Sequence, residues 1–254
     1  MSAIELGVIG GSGLYKFPGL ENTTRHSVDT PYGAASGDVV IGDFAGKRVA
    51  FLARHGEGHT LPPHRVNYRA NLWALHSLGA RKVIGVNAVG GIRGDMGPRV
   101  IVVPDQLIDY THGRITSFCD VEGAEVKHID FSEPYTESLR RRLLAAARAA
   151  DIAVIGGGCY GATQGPRLET RAEIARMKRD GCDLVGMTGM PEAALARELA
   201  LDYACLALVA NFAAGCGDEA EISIEEIFAH LAAATAEVPR LLAAMLDSER
   251  GISL

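Results

Sequence analysis

Short apolar runs that end in glycine or proline alternate with Leu/Ala-periodic stretches along the whole chain, and this alternation constrains the fold more than any other feature. Leu6–Ile9 runs into Gly10-Gly-Ser-Gly13, Lys82–Val86 leads to Ala88-Val-Gly-Gly91, and Val100–Val103 closes at Pro104. Leu184–Gly186 and Tyr203–Val209 follow the same pattern. Runs this short and this rich in Val, Ile and Leu read as buried strands. Val39–Ile41 and Arg48–Ala53 flank a Gly42–Gly46 turn and read as a hairpin, and Val154–Thr163 reads as a strand with central glycines. Helical stretches lie between them. Val66–Leu78 places Leu72, Leu75 and Leu78 on one face and stops at Gly79, and Glu137–Ala150 is an Arg/Leu/Ala run. The capping box Thr170-Arg-Ala-Glu173 opens a helix ending at Gly181, and another helix starts at Pro191. A second box, Ser223-Ile-Glu-Glu226, opens a last helix that Pro239 is expected to kink. Thr111–Pro134 has little periodicity and reads as a long loop, often a functional feature in a compact domain. No linker or repeat interrupts the pattern, so one α/β domain is expected.

Composition narrows the partners. The 254 residues carry 30 glycines and a net charge of −6, and no basic stripe is available to neutralise nucleic-acid phosphates. Cys119, Cys159, Cys182, Cys205 and Cys216 are scattered without a C-x-x-C pair. Neither a zinc site nor a disulfide framework is expected, and a reducing compartment is. Met1–Gly7 lacks the features of a secretion signal, and no apolar run is expected to span a membrane. The expectation is a soluble, cytoplasmic protein without a metal or a membrane partner.

Leu52-Ala-Arg-His-Gly-Glu-Gly-His59 sets a permanent cation, Arg54, beside a titratable His55 just after a strand. The pair suits an oxyanion, because guanidinium presents forked donors that match phosphate; a surface Arg beside a core His is the plainer alternative. Gly10-Gly-Ser-Gly13 fails as a dinucleotide fingerprint, since the third glycine is missing and Pro18 follows where a helix should run. It is either an anion-cradling turn presenting Ser12 or a plain tight turn. Met187 and Thr188 sit at a strand end before a Pro-initiated helix, whose N-terminus favours anions. Glu169 and Asn211 occupy further strand ends, where α/β proteins bind ligands.

These segments have a recognisable order and spacing. Gly10-Gly-Ser-Gly-Leu14, Val28-Asp-Thr-Pro-Tyr-Gly33, Leu52-Ala-Arg-His-Gly56, Val66-Asn-Tyr-Arg-Ala-Asn71 with Trp73, Gly165-Pro-Arg167 and Met187-Thr-Gly-Met-Pro-Glu192 resemble the methylthioadenosine phosphorylase branch of the purine nucleoside phosphorylases, over roughly residues 4–246. The resemblance implies a single nucleoside phosphorylase domain over residues 1–254, with a central mixed β-sheet flanked by helices. It implies a homotrimer in which phosphate attacks the ribosyl C1′ and releases the purine. No cofactor is implied; inorganic phosphate is the co-substrate. By position, Ser12, Arg54, His55 and Thr188 would cradle phosphate, His55 and Asn211 would be the catalytic pair, and Met187 would lie against the ribose. Phe212 and Ala213 fall beside Asn211 in the substrate-binding segment, and His128 matches a position reaching into a neighbouring subunit. Asn87 stands where the family usually has Thr, so the backbone of Ala88 is the safer phosphate donor there.

Departures from the family pattern bear on the substrate. Adenosine-using members carry aspartates where this chain has Asn211 and Ala213, and a small polar residue in place of Glu169. An Asn amide both donates and accepts, so it can face O6 and N7 together, while Glu169 can accept the N1 proton of hypoxanthine. Both positions indicate a 6-oxopurine. At the 5′ end Ile224 replaces a His able to bond a hydroxyl, with Ile222, Ile227 and Phe228 nearby, which suits a methylthio group. The combination expected is S-methyl-5′-thioinosine, yielding hypoxanthine and 5-methylthioribose 1-phosphate. The alternatives are methylthioadenosine phosphorolysis and a general inosine/guanosine phosphorylase.

Overall fold

The computed structural model describes residues 3–217 and 224–247. Ser223 with its expected capping box, Ile222, and the side chain of Ile224 lie outside the described residues. In chain order, β1 (Leu6–Gly10), β2 (Glu21–His26), β3 (Val39–Phe44) and β4 (Lys47–Ala53) precede α1 (Tyr68–Ser77) and β5 (Lys82–Gly91). β6 (Ile101–Val103) and β7 (Gln106–Asp109) lead through a long irregular segment to α2 (Glu137–Ala149). β8 (Val154–Gly156), β9 (Cys159–Ala162), α3 (Arg171–Arg179), β10 (Leu184–Gly186), α4 (Gly189–Glu198), β11 (Asp202–Phe212) and α5 (Ile224–Asp247) follow.

The strands form one mixed sheet. β1 lies parallel between β4 and β5, β5 pairs parallel with β11, and β10 pairs antiparallel with the Gly90–Gly91 end of β5. β11 shows why its sequence is a continuous apolar run. Tyr203, Cys205, Ala207 and Val209 enter one core and Ala204, Leu206, Leu208 and Ala210 the other, as the period-2 alternation of a strand buried on both faces requires. Leu72 and Leu75 of α1 with Leu195 of α4 fill the first core; Leu139 and Leu143 of α2 with Leu241 and Leu242 of α5 fill the second.

Local chemistry set several boundaries. Asn67 accepts a hydrogen bond from the Ala70 N–H, so α1 starts at Tyr68 instead of Val66. The Thr170–Glu173 capping box forms with both of its reciprocal bonds. The single strand expected at residues 154–163 is two, because Gly157 and Gly158 take φ values of +97° and +127° between them. β2 was not expected: its Glu21–Arg25 residues are exposed and show no alternation. Pro239 lies inside α5 and does not end it. Residues 225–247 are long and apolar enough to cross a membrane, against the expectation that no run is. Here Leu231, Val238, Leu241 and Met245 of this helix pack into the second core, and a core helix meets the same length and hydropathy.

Candidate active site

Residues that follow β1, β4 and β10, with the ends of β5 and β11, converge on a cavity of about 720 Å³. Ser12, Arg54, His55, Ala88, Met187 and Thr188 line it together with Glu169, Asn211 and Ala213. The Gly11-Ser-Gly-Leu14 turn closes with a Leu14 N–H to Gly11 carbonyl bond of 3.1 Å, with Gly13 at φ +83°. That bond leaves the Ser12 and Gly13 N–H groups uncommitted to the turn. Gly11 must be glycine, since a Cβ there would stand 2.5 Å from the Val86 carbonyl oxygen and 2.8 Å from Arg54 Nη1.

Arg54 is not the open phosphate fork that the sequence suggests. Its side chain is fully buried and grips Glu192 through Nε (2.8 Å) and Nη2 (2.7 Å). Nη1 donates to the Val86 carbonyl and Nη2 also to Asn87 Oδ1. Of the five N–H donors of a guanidinium, one Nη1–H lies outside these bonds, beside Gly11. Burial disfavours the cation, but the Glu192 carboxylate outweighs it and holds the guanidinium pKa above its usual value. Glu192 also accepts from Tyr203 Oη at 2.7 Å. The charge at the cavity wall is therefore neutralised within the protein.

Asn87 is fully buried and is not among the cavity-lining residues, whereas Ala88, the donor the sequence favours, is. Asn87 Oδ1 accepts from Arg54 and its Nδ2 donates to Thr188 Oγ1 at 2.8 Å. With a lone pair so occupied, the Thr188 hydroxyl proton is left to donate into the cavity. Glu192, Arg54, Asn87 and Thr188 thus form one hydrogen-bonded chain.

His55 Nδ1 lies 2.8 Å from the Leu61 carbonyl, which can only accept, so Nδ1 carries the proton. Burial, with the Arg54 cation next, holds the His55 pKa down to about 4. The neutral ring presents Nε2 as an acceptor, suited to a P–OH or ribose hydroxyl. A folded-state pKa below the unfolded value of 6.5 means that the unfolded chain binds more protons between pH 6.5 and 4. Stability attributable to His55 is complete above pH 6.5 and falls as the pH drops through that window. Replacing His55 with Asn, which can keep a donor near Leu61, is expected to flatten the loss of denaturation midpoint between pH 7 and pH 5; an unchanged slope would assign the acid sensitivity to other groups.

Thr163 Oγ1 donates to Glu169 Oε1 at 2.6 Å, which holds that carboxylate as an acceptor with its second oxygen open. The register of β11 against β5 slips between Val209 and Asn211, setting Asn211 opposite Gly90; such bulges re-aim side chains. Asn211 Nδ2 donates to the Phe212 carbonyl at 2.6 Å. Phe212 itself does not line the cavity: its ring sits against Gly97 and Gly217, as alternation with Asn211 dictates. Ile227, Phe228 and Leu231 add apolar surface to the cavity lining. His128 is exposed in the long loop and is not among the lining residues. The Ile224 side chain lies outside the described residues. Sequence reasoning missed Glu192, Thr163, Tyr15 and His59. Glu192 carried one weak signal, a carboxylate directly after Pro191 in the first turn of a helix.

A family model described as the phosphorylase superfamily matches residues 5–247. A protein of Xanthomonas campestris pv. campestris named probable S-methyl-5′-thioinosine phosphorylase is 60% identical, over 95% of this chain and 96% of its own length. A purine nucleoside phosphorylase of Streptomyces coelicolor is 47% identical, over 98% and 86%. The crystal structure of methylthioadenosine phosphorylase from Schistosoma mansoni in complex with adenine superposes with a TM-score of 0.91 at 32% identity, covering 98% of this chain and 92% of that one. The chain belongs to the phosphorylase superfamily.

Proposed function

We propose that this protein is a nucleoside phosphorylase that cleaves S-methyl-5′-thioinosine with inorganic phosphate, giving hypoxanthine and 5-methylthioribose 1-phosphate. The observation that carries this reading is one cavity holding an anion-compatible wall (Ser12, His55, Thr188) and a base-reading pair (Glu169, Asn211) together. The high identity to relatives named for that substrate supports it. A phosphate oxygen forms the bond to C1′ as the C1′–N9 bond breaks, and the electron pair leaves with the purine. The Thr188 hydroxyl and the turn amides of Ser12 and Gly13 hold the phosphate, and His55 Nε2 accepts from its P–OH or from a ribose hydroxyl. No cofactor is required.

Asn211 stabilises the departing base. Its Nδ2–H bond to the Phe212 carbonyl fixes the amide, so Oδ1 is left to accept from a protonated N7 and the second Nδ2 hydrogen to meet O6. Contacts that strengthen as charge develops lower the barrier, whereas uniform binding does not. Asn211→Ala is accordingly expected to cut kcat/KM far more than it weakens hypoxanthine binding; equal losses would contradict the role. Against the apolar lining, burying a methylthio group is favourable by about 1–2 kcal/mol, while an unpaired 5′-hydroxyl there costs about 1–3 kcal/mol.

The reading includes a homotrimer in the cytoplasm. Ile115, Val121 and Val126 are exposed apolar residues on the loop that carries His128, a surface suited to a second copy of the chain. A turnover panel of methylthioinosine, methylthioadenosine, inosine and adenosine tests the substrate. Methylthioinosine is expected to lead, and equal rates on methylthioadenosine would return the plain methylthioadenosine phosphorylase reading.

A further inference from the structure

Arg114 lies in the irregular segment between β7 and α2, outside the cavity lining, yet all five of its donors are engaged with protein acceptors. Nη1 donates to the Met187 carbonyl at 2.8 Å and the Met190 carbonyl at 2.6 Å. Nη2 donates to the carbonyls of Thr163 (3.1 Å) and Gln164 (2.8 Å), and Nε to Gln164 Oε1 (3.2 Å). The guanidinium also stands over the buried Tyr68 ring, 5.6 Å from its centroid. Tyr68 Oη in turn donates to the carbonyl of Pro63, a residue of the cavity wall.

The four carbonyls belong to two segments that leave neighbouring parallel strands. Residues 163–164 leave β9 and run on to Glu169, and Thr163 itself bonds the Glu169 carboxylate. Residues 187–190 leave β10 and carry Met187 and Thr188. One planar fork bridges them, with carbonyl acceptors on both sides of Thr188. Lysine offers three donors from a single point and cannot span this set. Neither segment is in a helix or strand between the strand end and these carbonyls, apart from the Gly189–Met190 start of α4, where Met190 is non-helical.

We propose that Arg114 is a positioning residue that fixes the distance between the base-reading Glu169 segment and the phosphate- and ribose-facing Met187–Thr188 segment. This rests on the phosphorylase reading above and adds a determinant that never touches substrate. Because catalysis requires base and phosphate to be held in one reactive geometry, a displacement of about 1 Å between the two segments lowers turnover on the order of 100-fold.

The test uses the full-length enzyme. Arg114→Ala is expected to lose on the order of 100-fold in kcat/KM for methylthioinosine, to raise the phosphate KM, and to narrow the preference over methylthioadenosine. Guanidinium chloride at low concentration is expected to restore part of that loss, because it resupplies the planar fork of donors, and methylammonium chloride none. A purely structural role would instead lower the melting temperature and leave kcat per folded molecule and the base preference unchanged. Arg114→Lys keeps the charge and the stem and serves if the Ala variant does not fold. A large kinetic loss in it at an unchanged melting temperature supports the bridge. Wild-type kinetics in either variant, or a loss in the Ala variant that guanidinium does not lift, overturns it. The phosphate-induced rise in melting temperature gives a readout without turnover: it is expected in wild type, absent in Arg114→Ala and recovered with guanidinium, and its persistence in the variant counts against the bridge. Wild-type base release, measured alongside, fails only if the phosphorylase reading itself fails.

Discussion

Changing Asn211 and Ala213 to Asp together with Glu169 to Ser is expected to narrow or reverse the preference of this enzyme for methylthioinosine over methylthioadenosine. In the wild-type site, Glu169 is held by the Thr163 hydroxyl as an acceptor; under the proposed reading it would meet the N1 proton of hypoxanthine but face the N1 lone pair of adenine. Asn211 spends one amide hydrogen on the Phe212 carbonyl and keeps another donor, which suits O6 and repels the hydrogens of a 6-amino group. A site built to pair with hydrogen-bonding groups rejects a base that misplaces them by far more than a missing methylene costs, up to roughly 10⁴-fold. Paired kcat/KM values for the two nucleosides, in wild type and in the triple variant, measure this directly. A wild-type ratio near one, or a triple variant with an unchanged ratio, would show that these side chains do not select the base.

Glu192→Ala is expected to destabilise the fold by about 3–5 kcal/mol, because it strands the fully buried Arg54 cation. Arg54→Ala should cost a similar amount by stranding the carboxylate. The paired variant Arg54→Met with Glu192→Leu removes both charges and is expected to recover much of that stability. Turnover should not return with it, because the chain from Arg54 through Asn87 that turns the Thr188 hydroxyl proton into the cavity is gone. Urea midpoints and turnover of the three variants separate the two effects. A paired variant that regains activity along with stability would make the buried pair a matter of packing alone.

The parts of this structure legible in the sequence are those written in local periodicity. β5 and β11 are buried on both faces, so their apolar runs announced them, and the reciprocal bonds of Thr170 and Glu173 were written in a four-residue motif. β2 was not legible, because an exposed edge of Glu, Asn, Thr and Arg carries no hydrophobic alternation. The lining residues Ser12, Thr188 and Asn211 lie at or just past strand ends, where the sequence pattern itself points, whereas Glu169 stands seven residues beyond the end of β9, beside the Thr170 cap of α3, and not at the strand end expected. The roles of Arg54 and Asn87 depend on Glu192 and Thr188, which stand more than 100 residues away along the chain. Nothing in the local sequence shows that the Arg54 charge is already spent. Arg114 is hidden for the same reason, since four of its bonds go to backbone carbonyls, which have no signature in side-chain identity. Phe212 was placed in the site by its neighbour Asn211, although adjacent residues of a strand face opposite ways.

If an anion wall and a 6-oxopurine reader share one cavity, phosphate and not water accepts the ribosyl group. Incubating the wild-type enzyme with methylthioinosine and following the sugar product by phosphorus NMR tests it most directly. The expected result is hypoxanthine and 5-methylthioribose 1-phosphate in equal amounts, with release abolished when phosphate is withheld. Hypoxanthine released at an undiminished rate in phosphate-free buffer, with free methylthioribose as the product, would contradict it.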